Sequence, residues 1–369
     1  MSVRRQLSRQ WVPIVGGSCD VRMGEDAIMS ASKVFVDSVS RPGICLIVAR
    51  DGEDAELLDE LRRQATDAGF SCDVCELEPP LRTFDAAARL AHALREIGAT
   101  ADDLCVAVGD ADLISVASYV CGAWCQGMSV VAVPLDELGL LEGALVPRAL
   151  DVDGAQGMLF VRPCVKHVVI DYGRVLGGLD DESSRRARVL MAGTSLASSE
   201  KEFSTLWDRA EQIMADDGAT LCAQLMDTAK ARGKLAASSA AAVRASLGYG
   251  RSFANACQVL MPNAPYSGLL AEGMRFCARI SVAQGKLPLD DMLAIDELLD
   301  ALGITPIECD VNQEELVEAF RCERLLRSRR LMLEIPLAIG RIRLSTVEDG
   351  MLREHLGAWC AVHRRQGVM

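Results

Sequence analysis

The clearest candidate for ligand chemistry is the turn Gly109-Asp110-Ala111, between the apolar run Leu104–Val108 and a helical pattern. In a doubly wound sheet, a nucleotide phosphate binds at such a turn because the helix N-terminus presents free N–H groups. Glycines let the backbone approach the phosphates, yet this turn has one glycine beside two carboxylates, which would repel a diphosphate. Two interpretations follow: a degenerate cofactor loop, or a plain turn with Asp112 as the helix N-cap.

Cysteine and histidine patterns give little support for a metal site. Cys72 and Cys75 form a C-x-x-C, but they fall within a predicted strand, where residues three apart face opposite ways. No second such pair exists in the sequence, as a zinc site would need. The chain has four histidines. His167 lies on a buried strand, and we expect it to be a hydrogen-bonded core residue rather than a ligand.

The elements that position these residues alternate between strand and helix in the first half. Helical patterns separate short apolar runs at 43–49, 71–77, 104–108, 129–133 and 167–170. Strands that are buried on both faces and separated by helices indicate a mostly parallel sheet with crossover helices. The predicted fold is an α/β amino-terminal domain with a doubly wound, mostly parallel sheet, over residues 1–175.

The second half, residues 176–369, is predicted to be a mainly α-helical carboxy-terminal domain. Helical periodicity covers 185–215, 219–242, 252–261, 269–284, 290–302 and 312–329, and a strand pair is expected around 330–344. Pro288, Gly303 and Pro306 separate several of these segments.

Composition excludes several functional classes. The chain has 369 residues, of which half are apolar and a quarter charged, with a net charge of −13. This acidic balance argues against nucleic-acid or anionic-membrane binding. The uncharged stretch 113–135 contains Gly127 and Pro134, so we expect a helix and a strand there rather than a membrane span. The amino terminus does not resemble a secretory signal, and 14 scattered cysteines indicate free thiols in a reducing cytoplasm.

Several blocks together resemble the 3-dehydroquinate synthases of the sugar-phosphate cyclase superfamily, over essentially the whole chain. The family's glycine-rich GGGVVGD loop falls on Gly109–Tyr119, and its GGKTG-containing loop falls on Glu142–Leu150. The RxxLNFGHTFGHAIE block falls within Lys230–Gln258, and the HGEAVAIGM helix falls on Tyr266–Met274. The ordered set at matching spacing is more specific than any single block.

The resemblance implies an NAD- and zinc- or cobalt-dependent lyase of the shikimate pathway, in aromatic amino-acid biosynthesis. The family reaction cyclises 3-deoxy-arabino-heptulosonate 7-phosphate, and family members usually form homodimers. Its three metal-ligand positions, a glutamate and two histidines, fall here on Leu190, Arg251 and Tyr266, or on Ser267 instead of Tyr266 if the loop is shifted by one residue. A guanidinium repels a cation, so we expect no metal ligands at these positions.

Family cofactor positions fall on a degenerate loop, Gly109, Asp110, Ala111 and Ser115, from which we infer weak or absent NAD binding. Anion-binding positions are better kept. The resemblance assigns substrate or anion contacts to Glu142, Arg148, Lys230 and Arg244, and Asn255 falls at the position of a further family histidine that assists proton handling. Arg251 adds one more cation, and the partner would be an anionic small-molecule metabolite. The alternative is that the cations Arg148, Lys230, Arg244 and Arg251 are ion-paired side chains that the fold has retained without a binding role. The family's DKK motif is reduced to Glu323-Arg324-Leu325.

Three hypotheses follow, and no residue is a firm catalytic candidate. In the first, the protein has the synthase fold but has lost the reaction, so NAD and metal binding are weak or lost. In the second, it is an active synthase or related sugar-phosphate cyclase whose metal is held by substitutes such as Cys257, Glu272 or Cys277. Glu272 and Cys277 lie about 140° apart around one helix, which disfavours a shared ion. The third, a related polyol dehydrogenase, also requires histidine ligands.

Overall fold

The computed structural model describes residues 7–146, 150–161 and 164–364. The chain divides into two compact units. The first unit is Met1–Gly177 with Arg232–Ala237, and the second is Gly178–Ala231 with Ser238–Met369.

The first unit is built on a seven-stranded sheet in the order β1-β2-β7-β6-β5-β3-β4. Only β1 and β2 pair antiparallel, which confirms the mostly parallel α/β prediction. The strands are β1 (Ser8–Ile14), β2 (Gly17–Gly24), β3 (Ile44–Arg50), β4 (Ser71–Leu77), β5 (Leu104–Gly109), β6 (Ser129–Pro134) and β7 (Val165–Asp171).

Helices connect the parallel strands of this sheet. They are α1 (Ala31–Ser38), α2 (Ala55–Asp67), α3 (Phe84–Glu96), α4 (Ala111–Ala123) and α5 (Tyr172–Val175). Side chains of α1 and α2 form one buried cluster with Cys45, Ile47 and Val106 of the sheet. The Asp54 carboxylate caps α2 by accepting from two backbone N–H groups. Both helices therefore cover one face of the sheet, and α2 begins at a polar cap.

The antiparallel hairpin β1–β2 was missed by the sequence analysis. Its turn includes Gly16, whose φ of 85° is in the left-handed region that favours glycine. Asp20 is fully buried on β2, and the guanidinium groups of Arg9 and Arg22 bind its carboxylate at 2.9 and 2.8 Å. Charged residues at inward positions hid the alternation that normally identifies a strand.

The second unit is mainly helical, as predicted. It contains α6 (Glu182–Ser198), α7 (Glu200–Met214), most of α8 (Gly218–Ala237), α9 (Ala241–Ala245), α10 (Arg251–Leu260), α11 (Tyr266–Ala283), α12 (Leu289–Ala301), α13 (Gln313–Leu325), β8 (Met332–Ala338), β9 (Arg341–Thr346) and α14 (Asp349–His363). The hairpin β8–β9 confirms the expected strand pair.

The prediction of a single helix over 185–215 was wrong, because α6 ends before Ser199 and α7 begins after it. This residue has extended backbone, with φ −167° and ψ 157°, and its Oγ accepts the N–H of Glu202 to cap α7. Gly340 lies so close that an added Cβ would be 2.8 Å from the Ser199 Cα. A capping residue and a close backbone approach therefore override a continuous apolar pattern.

The uncharged stretch 113–135 forms most of α4 and then β6, as predicted, with Gly127 between them at φ 131°. Among the helices of the described ranges, none combines the length and apolar character needed to span a bilayer.

Candidate functional site

The Asp110 carboxylate closes the N-terminus of α4. Its Oδ1 accepts the N–H of Asp112 at 3.0 Å and of Leu113 at 2.9 Å. The N-cap is thus Asp110, and the prediction of Asp112 was wrong by two residues. Gly109 precedes it with φ 149°, and an added Cβ would be 2.9 Å from the Leu113 side chain. The N–H groups that a phosphate would use already hold a carboxylate of the chain itself.

The same carboxyl group pairs with a guanidinium from the next strand of the sheet. Arg50, the last residue of β3, lies 2.9 Å from Asp110, which directly follows β5. From β3 the chain runs to β4, and from β5 it runs to β6 on the other side, so the strand order reverses between β3 and β5. Doubly wound sheets bind ligands at this reversal. Here an ion pair spans it.

Asp112 also has a cationic partner. Arg82 Nε lies 3.2 Å from the Asp112 carboxylate, and another nitrogen of Arg82 lies 2.8 Å from Asp151. The loop carboxylates, expected to repel a diphosphate, are therefore partly neutralised by arginines. Of the other predicted cofactor positions, Ala111 begins α4 and Ser115 is buried one turn later.

Glu142 lies in the π-helical turn Gly139–Ala144 and is buried. Its Oε1 lies 4.0 Å from a guanidinium nitrogen of Arg232, whose Nε donates to the Leu141 carbonyl at 3.0 Å. Arg232 is itself buried, so this carboxylate faces a fixed cation within the first unit. Arg148, the other predicted anion contact of this segment, lies outside the described residues.

Three helices of the second unit meet at the predicted metal-ligand positions. Leu190 is buried on α6, and Arg186 lies one turn before it, with its guanidinium 4.7 Å above the Tyr266 ring. Tyr266 begins α11 and donates its hydroxyl proton to Asn255 Oδ1 at 2.7 Å. Asn255 lies one turn after Arg251 on α10. The positions that the resemblance assigned to one site are therefore neighbours.

A polar chain continues from Asn255 to α13. Asn255 Nδ2 donates to Glu323 Oε1 at 2.9 Å, and Arg327 Nε donates to the same oxygen at 2.9 Å. We name Tyr266, Asn255, Glu323 and Arg327 the tyrosine–asparagine chain. Its phenol, amide, carboxylate and guanidinium are therefore linked by hydrogen bonds to one another.

The first turn of α10 packs against further charge. Arg324 donates to Ser252 Oγ at 2.9 Å and lies 3.6 Å from the buried carboxylate of Glu334. Burial raises the pKa of Glu334, while the charges of Arg324 and Arg251 oppose that rise. The Arg251 charge therefore acts on the Glu334 carboxylate.

The other predicted anion contacts lie on the exterior of the second unit. Lys230 is exposed on α8, and Arg244 is exposed on α9. The Arg244 guanidinium donates to the carbonyls of Ser238 and Ser239 at 2.6 and 2.9 Å, which closes the turn before α9. Its anion-binding role stays a prediction.

Comparison with known proteins gives a consistent assignment, although no family model matches the chain. The 3-dehydroquinate synthase of Xylella fastidiosa (strain 9a5c) is 24% identical over 324 residues, which cover 82% of this chain and 79% of that protein. A 2-deoxy-scyllo-inosose synthase solved with carbaglucose-6-phosphate, NAD⁺ and Co²⁺ has a TM-score of 0.80 at 14% identity, covering 95% of this chain and 99% of that one.

A second solved structure agrees. ValA, the 2-epi-5-epi-valiolone synthase of Streptomyces hygroscopicus subsp. jinggangensis 5008 with NAD⁺ and Zn²⁺ bound, has a TM-score of 0.76 at 14% identity, over 96% of this chain and 99% of that one. The chain is thus similar to the 3-dehydroquinate synthases over about four-fifths of its length, as a divergent relative. At these identities the structural likeness establishes the shared fold.

The residues at the family's metal positions do not fit a divalent cation. Zinc and cobalt prefer imidazole, thiolate or carboxylate donors. Leu190 offers no lone pair, Arg251 is a cation, and the Tyr266 hydroxyl donates to Asn255. Within the residues that the structure describes, no three His, Cys, Asp or Glu side chains are arranged to hold a metal ion.

The substitute ligands of the second hypothesis do not form a set either. Both Glu272 oxygens have partners, since Trp359 Nε1 and His363 Nε2 lie 2.9 and 3.0 Å from one and Arg275 lies 3.1 Å from the other. Burial raises the pKa of Cys257 and of Cys277 well above the thiol's ordinary value. Protonated thiols are poor metal ligands.

The loop residues also fail to fit the pyrophosphate of a dinucleotide, because Asp110 occupies the α4 N–H groups and Arg50 binds Asp110.

His167 is the hydrogen-bonded core residue that the sequence predicts. Its Nδ1 lies 2.7 Å from Ser38 Oγ, and burial lowers its pKa.

The sequence analysis did not identify Arg50 and Arg82 as partners of the loop carboxylates Asp110 and Asp112. It also did not identify Arg186 as a partner of Tyr266. Arg50 left one signal, a charged residue at the carboxyl end of a buried strand. Arg186 gave none, because its contact with Tyr266 joins residues that are far apart in sequence.

Proposed function

We propose that this protein has the 3-dehydroquinate synthase fold without the NAD- and metal-dependent cyclisation of its family, and that it binds an anionic metabolite. The observation that carries the proposal is the tyrosine–asparagine chain. It ties Tyr266, at a family metal-ligand position, into hydrogen bonds with Asn255 and, through it, Glu323.

The charges at this place support the loss of the metal. Arg251 stands at a second ligand position, and Arg186 lies over the Tyr266 ring. A guanidinium group near a divalent cation raises the electrostatic energy of that cation. The same groups attract phosphate and carboxylate, which guanidinium forks bind with two parallel hydrogen bonds. A site of this kind favours an anion without a metal.

The loop after β5 supports the loss of the cofactor. A bound pyrophosphate would have to displace the Asp110 carboxylate from two N–H groups and break its pair with Arg50. Removing an N-cap costs about 1 kcal/mol, and the displaced carboxylate would then lie beside the diphosphate. The loop therefore opposes dinucleotide binding in two ways, through the lost N-cap and through repulsion between the displaced carboxylate and the diphosphate.

Titration calorimetry and a turnover assay test the proposal together. We expect no saturable binding of Zn²⁺, Co²⁺ or NAD⁺, and no phosphate release from 3-deoxy-arabino-heptulosonate 7-phosphate with all three present. Turnover that a chelator abolishes would overturn the loss of the reaction.

Anion binding has its own test. Without metal, 3-deoxy-arabino-heptulosonate 7-phosphate or inorganic phosphate should bind the full chain, and Arg251→Gln should weaken binding about tenfold or more, as loss of a charge-assisted contact does. Arg353→Gln, a surface change on α14, serves as the matched control. Equal affinity in the two variants would exclude Arg251 from the site.

We further propose that the protein works in a reducing cytoplasm as a homodimer, following the family. Size-exclusion chromatography with light scattering tests the assembly, and a monomer at micromolar concentration would contradict it.

A further inference from the structure

Two cysteines face each other at the edge of the first unit's sheet. Cys45 of β3 and Cys72 of β4 are register partners in a parallel ladder, so their side chains lie on the same face of the sheet. Neighbouring strands lie about 4.8 Å apart, within the Cα separations of about 4.4–6.8 Å that disulfides span. A bond between these sulfurs therefore needs only a small movement of the backbone.

The edge position allows that movement. The strand β4 is last in the sheet and pairs only with β3. The Cβ atoms of a disulfide lie about 3.8 Å apart, which is closer than the strand spacing, so β4 must shift inward near Cys72. A disulfide that holds a strand in a shifted position is more easily reduced than a relaxed one.

The two thiols differ in environment. Cys45 is fully buried in the apolar cluster, while Cys72 is half-buried at its margin. The neighbouring Cys72 thiol, followed by burial, raises the pKa of Cys45. The neighbouring Cys45 thiol and the charge of Arg62 on α2 lower the pKa of Cys72 against the effects of burial and Asp73. Cys72, the less buried of the two, is thus the accessible thiol.

We propose that Cys45 and Cys72 form a reversible disulfide when the protein meets hydrogen peroxide. The Cys72 thiolate attacks one peroxide oxygen and the O–O bond breaks, giving Cys72 sulfenic acid and hydroxide, which takes up a proton. The Cys45 sulfur then attacks the Cys72 sulfur. An S–S bond forms, the S–O bond breaks, and the Cys45 proton leaves with the hydroxyl as water. Two electrons pass from the thiols to the peroxide, and a dithiol such as dithiothreitol returns them.

The motif that stands out in the sequence is not this pair. Cys75 lies three residues beyond Cys72, so it faces the other side of β4. Burial raises the pKa of Cys75, and the nearby Cys105 raises it further. The reactive partner of Cys72 is on the neighbouring strand, where only the register reveals it.

This disulfide is independent of the proposed function. Cys45 and Cys72 are the second residues of their strands, whereas Arg50 is the last residue of β3. Oxidation therefore leaves the Arg50–Asp110 ion pair unchanged, because that pair lies at the opposite end of β3.

The test uses the full-length protein treated with equimolar hydrogen peroxide, then alkylated under denaturing conditions and digested without reduction. Mass spectrometry should find the Cys45 peptide joined to the Cys72 peptide with the loss of two hydrogens, and dithiothreitol should remove the link. The linked species should persist in Cys75→Ser and be absent from Cys72→Ser and Cys45→Ala.

Cys72→Ser changes a half-buried position and Cys45→Ala a buried one, so thermal unfolding of both variants verifies that they fold. A link that survives in Cys72→Ser would assign the reaction to Cys75 and overturn the proposal. So would a wild-type protein in which Cys72 is alkylated as a free thiol, or oxidised to the sulfinic acid, while no linked peptide forms.

Discussion

The Arg50 guanidinium and the Asp110 carboxylate form a 2.9 Å ion pair at the point where the strand order of the sheet reverses. Asp110 serves two partners, because it also caps α4. A phosphate at this place would compete with a carboxylate held by covalent connection at high effective concentration. The fold of the related synthases is kept, while the Asp110 carboxylate occupies the position where a phosphate would bind.

Replacing Asp110 should reopen that position. In Asp110→Gly the N–H groups of Asp112 and Leu113 lose their acceptor, and Arg50 loses its carboxylate. We expect pyrophosphate to bind at least ~10-fold more tightly than to the wild type, since a charge-assisted contact contributes about 1.5–3 kcal/mol. Titration calorimetry measures the change.

Asp54→Gly is the matched control for this prediction. It removes the N-cap of α2, whose carboxylate likewise accepts two N–H groups and pairs with an arginine, Arg174. Both variants should lose only roughly a few tenths of a kcal/mol from the cap, because glycine is tolerated at an N-cap. If pyrophosphate binds Asp110→Gly no better than Asp54→Gly, the reversal point is not an anion site.

Restoring imidazoles should restore metal affinity. In Arg251→His/Tyr266→His a cation and a phenol are replaced by two neutral nitrogen donors, and Asn255 and Glu323 lose the tyrosine hydroxyl from their chain. We expect Zn²⁺ to bind this variant more than ~10-fold tighter than the wild type. Tyr266→Phe alone removes the hydroxyl without adding a donor and should gain nothing. Equal zinc affinity in the wild type and both variants would show that Arg251 and Tyr266 do not lie at a metal site.

A close backbone contact between α10 and α11 should not tolerate a methyl group. A Cβ on Gly273 would lie 2.1 Å from the Gly250 carbonyl oxygen, and Gly250 has φ 80°. Gly273→Ala should therefore destabilise the protein by about 3 kcal/mol or more, because neither helix backbone can yield cheaply. Gly350→Ala, on α14 with open space around it, is the helical control and should be neutral or stabilising. Denaturant unfolding compares the two variants, and similar midpoints would show that the helices are not in tight contact.

The sequence predicted the regular parts of this fold and missed those that depend on distant partners. Buried apolar runs identify β3 and β5 because burial on both faces removes polar residues. The hairpin β1–β2 escaped because its inward Asp20 is compensated by Arg9 and Arg22, a pairing that no local pattern reveals.

The same limit applies to the candidate site. Tyr266 and Arg251 could be singled out by resemblance, since each occupies a known position in a block. Arg186, which lies over the Tyr266 ring, comes from α6, and nothing in its local sequence marks it. Glu323 falls at the position of the family's DKK motif, but that position does not reveal its contact with Asn255. Ionic and hydrogen-bonded compensation is specified by tertiary structure, so spacing alone cannot predict it.

A buried ion pair between α11 and α14 predicts a pH-dependent stability. His363 Nε2 lies 3.0 Å from Glu272 Oε2, and the exposed fractions of the two side chains are 13% and 1%. Burial alone would lower the pKa of His363, but the hydrogen bonds to Glu272 and to the Trp359 carbonyl, together with the charge of Glu272, outweigh it and raise the pKa above 6.5. Burial alone would raise the pKa of Glu272, but hydrogen bonds from His363 and Trp359 hold it below 4.5.

The two shifts set the window in which the pair stabilises the fold. The contribution of His363 is complete below pH 6.5 and is lost as the pH rises through its raised folded-state pKa. The contribution of Glu272 is present above pH 4.5 and is lost as the pH falls through its lowered folded-state pKa. The full effect therefore lies between pH 4.5 and 6.5.

Replacing His363 with glutamine should cost about 2 kcal/mol in that window. This is less than the ~3–5 kcal/mol of a completely unpaired buried charge, because Trp359 and Arg275 still bind Glu272. The difference in unfolding free energy between wild type and His363→Gln, measured by urea denaturation from pH 5 to 9, should shrink as the pH rises. His355→Gln, on the same helix, controls for loss of a histidine and should give a flat difference. A wild-type advantage that grows toward pH 9 would mean that His363 is neutral in the folded protein and that the pair is not ionic.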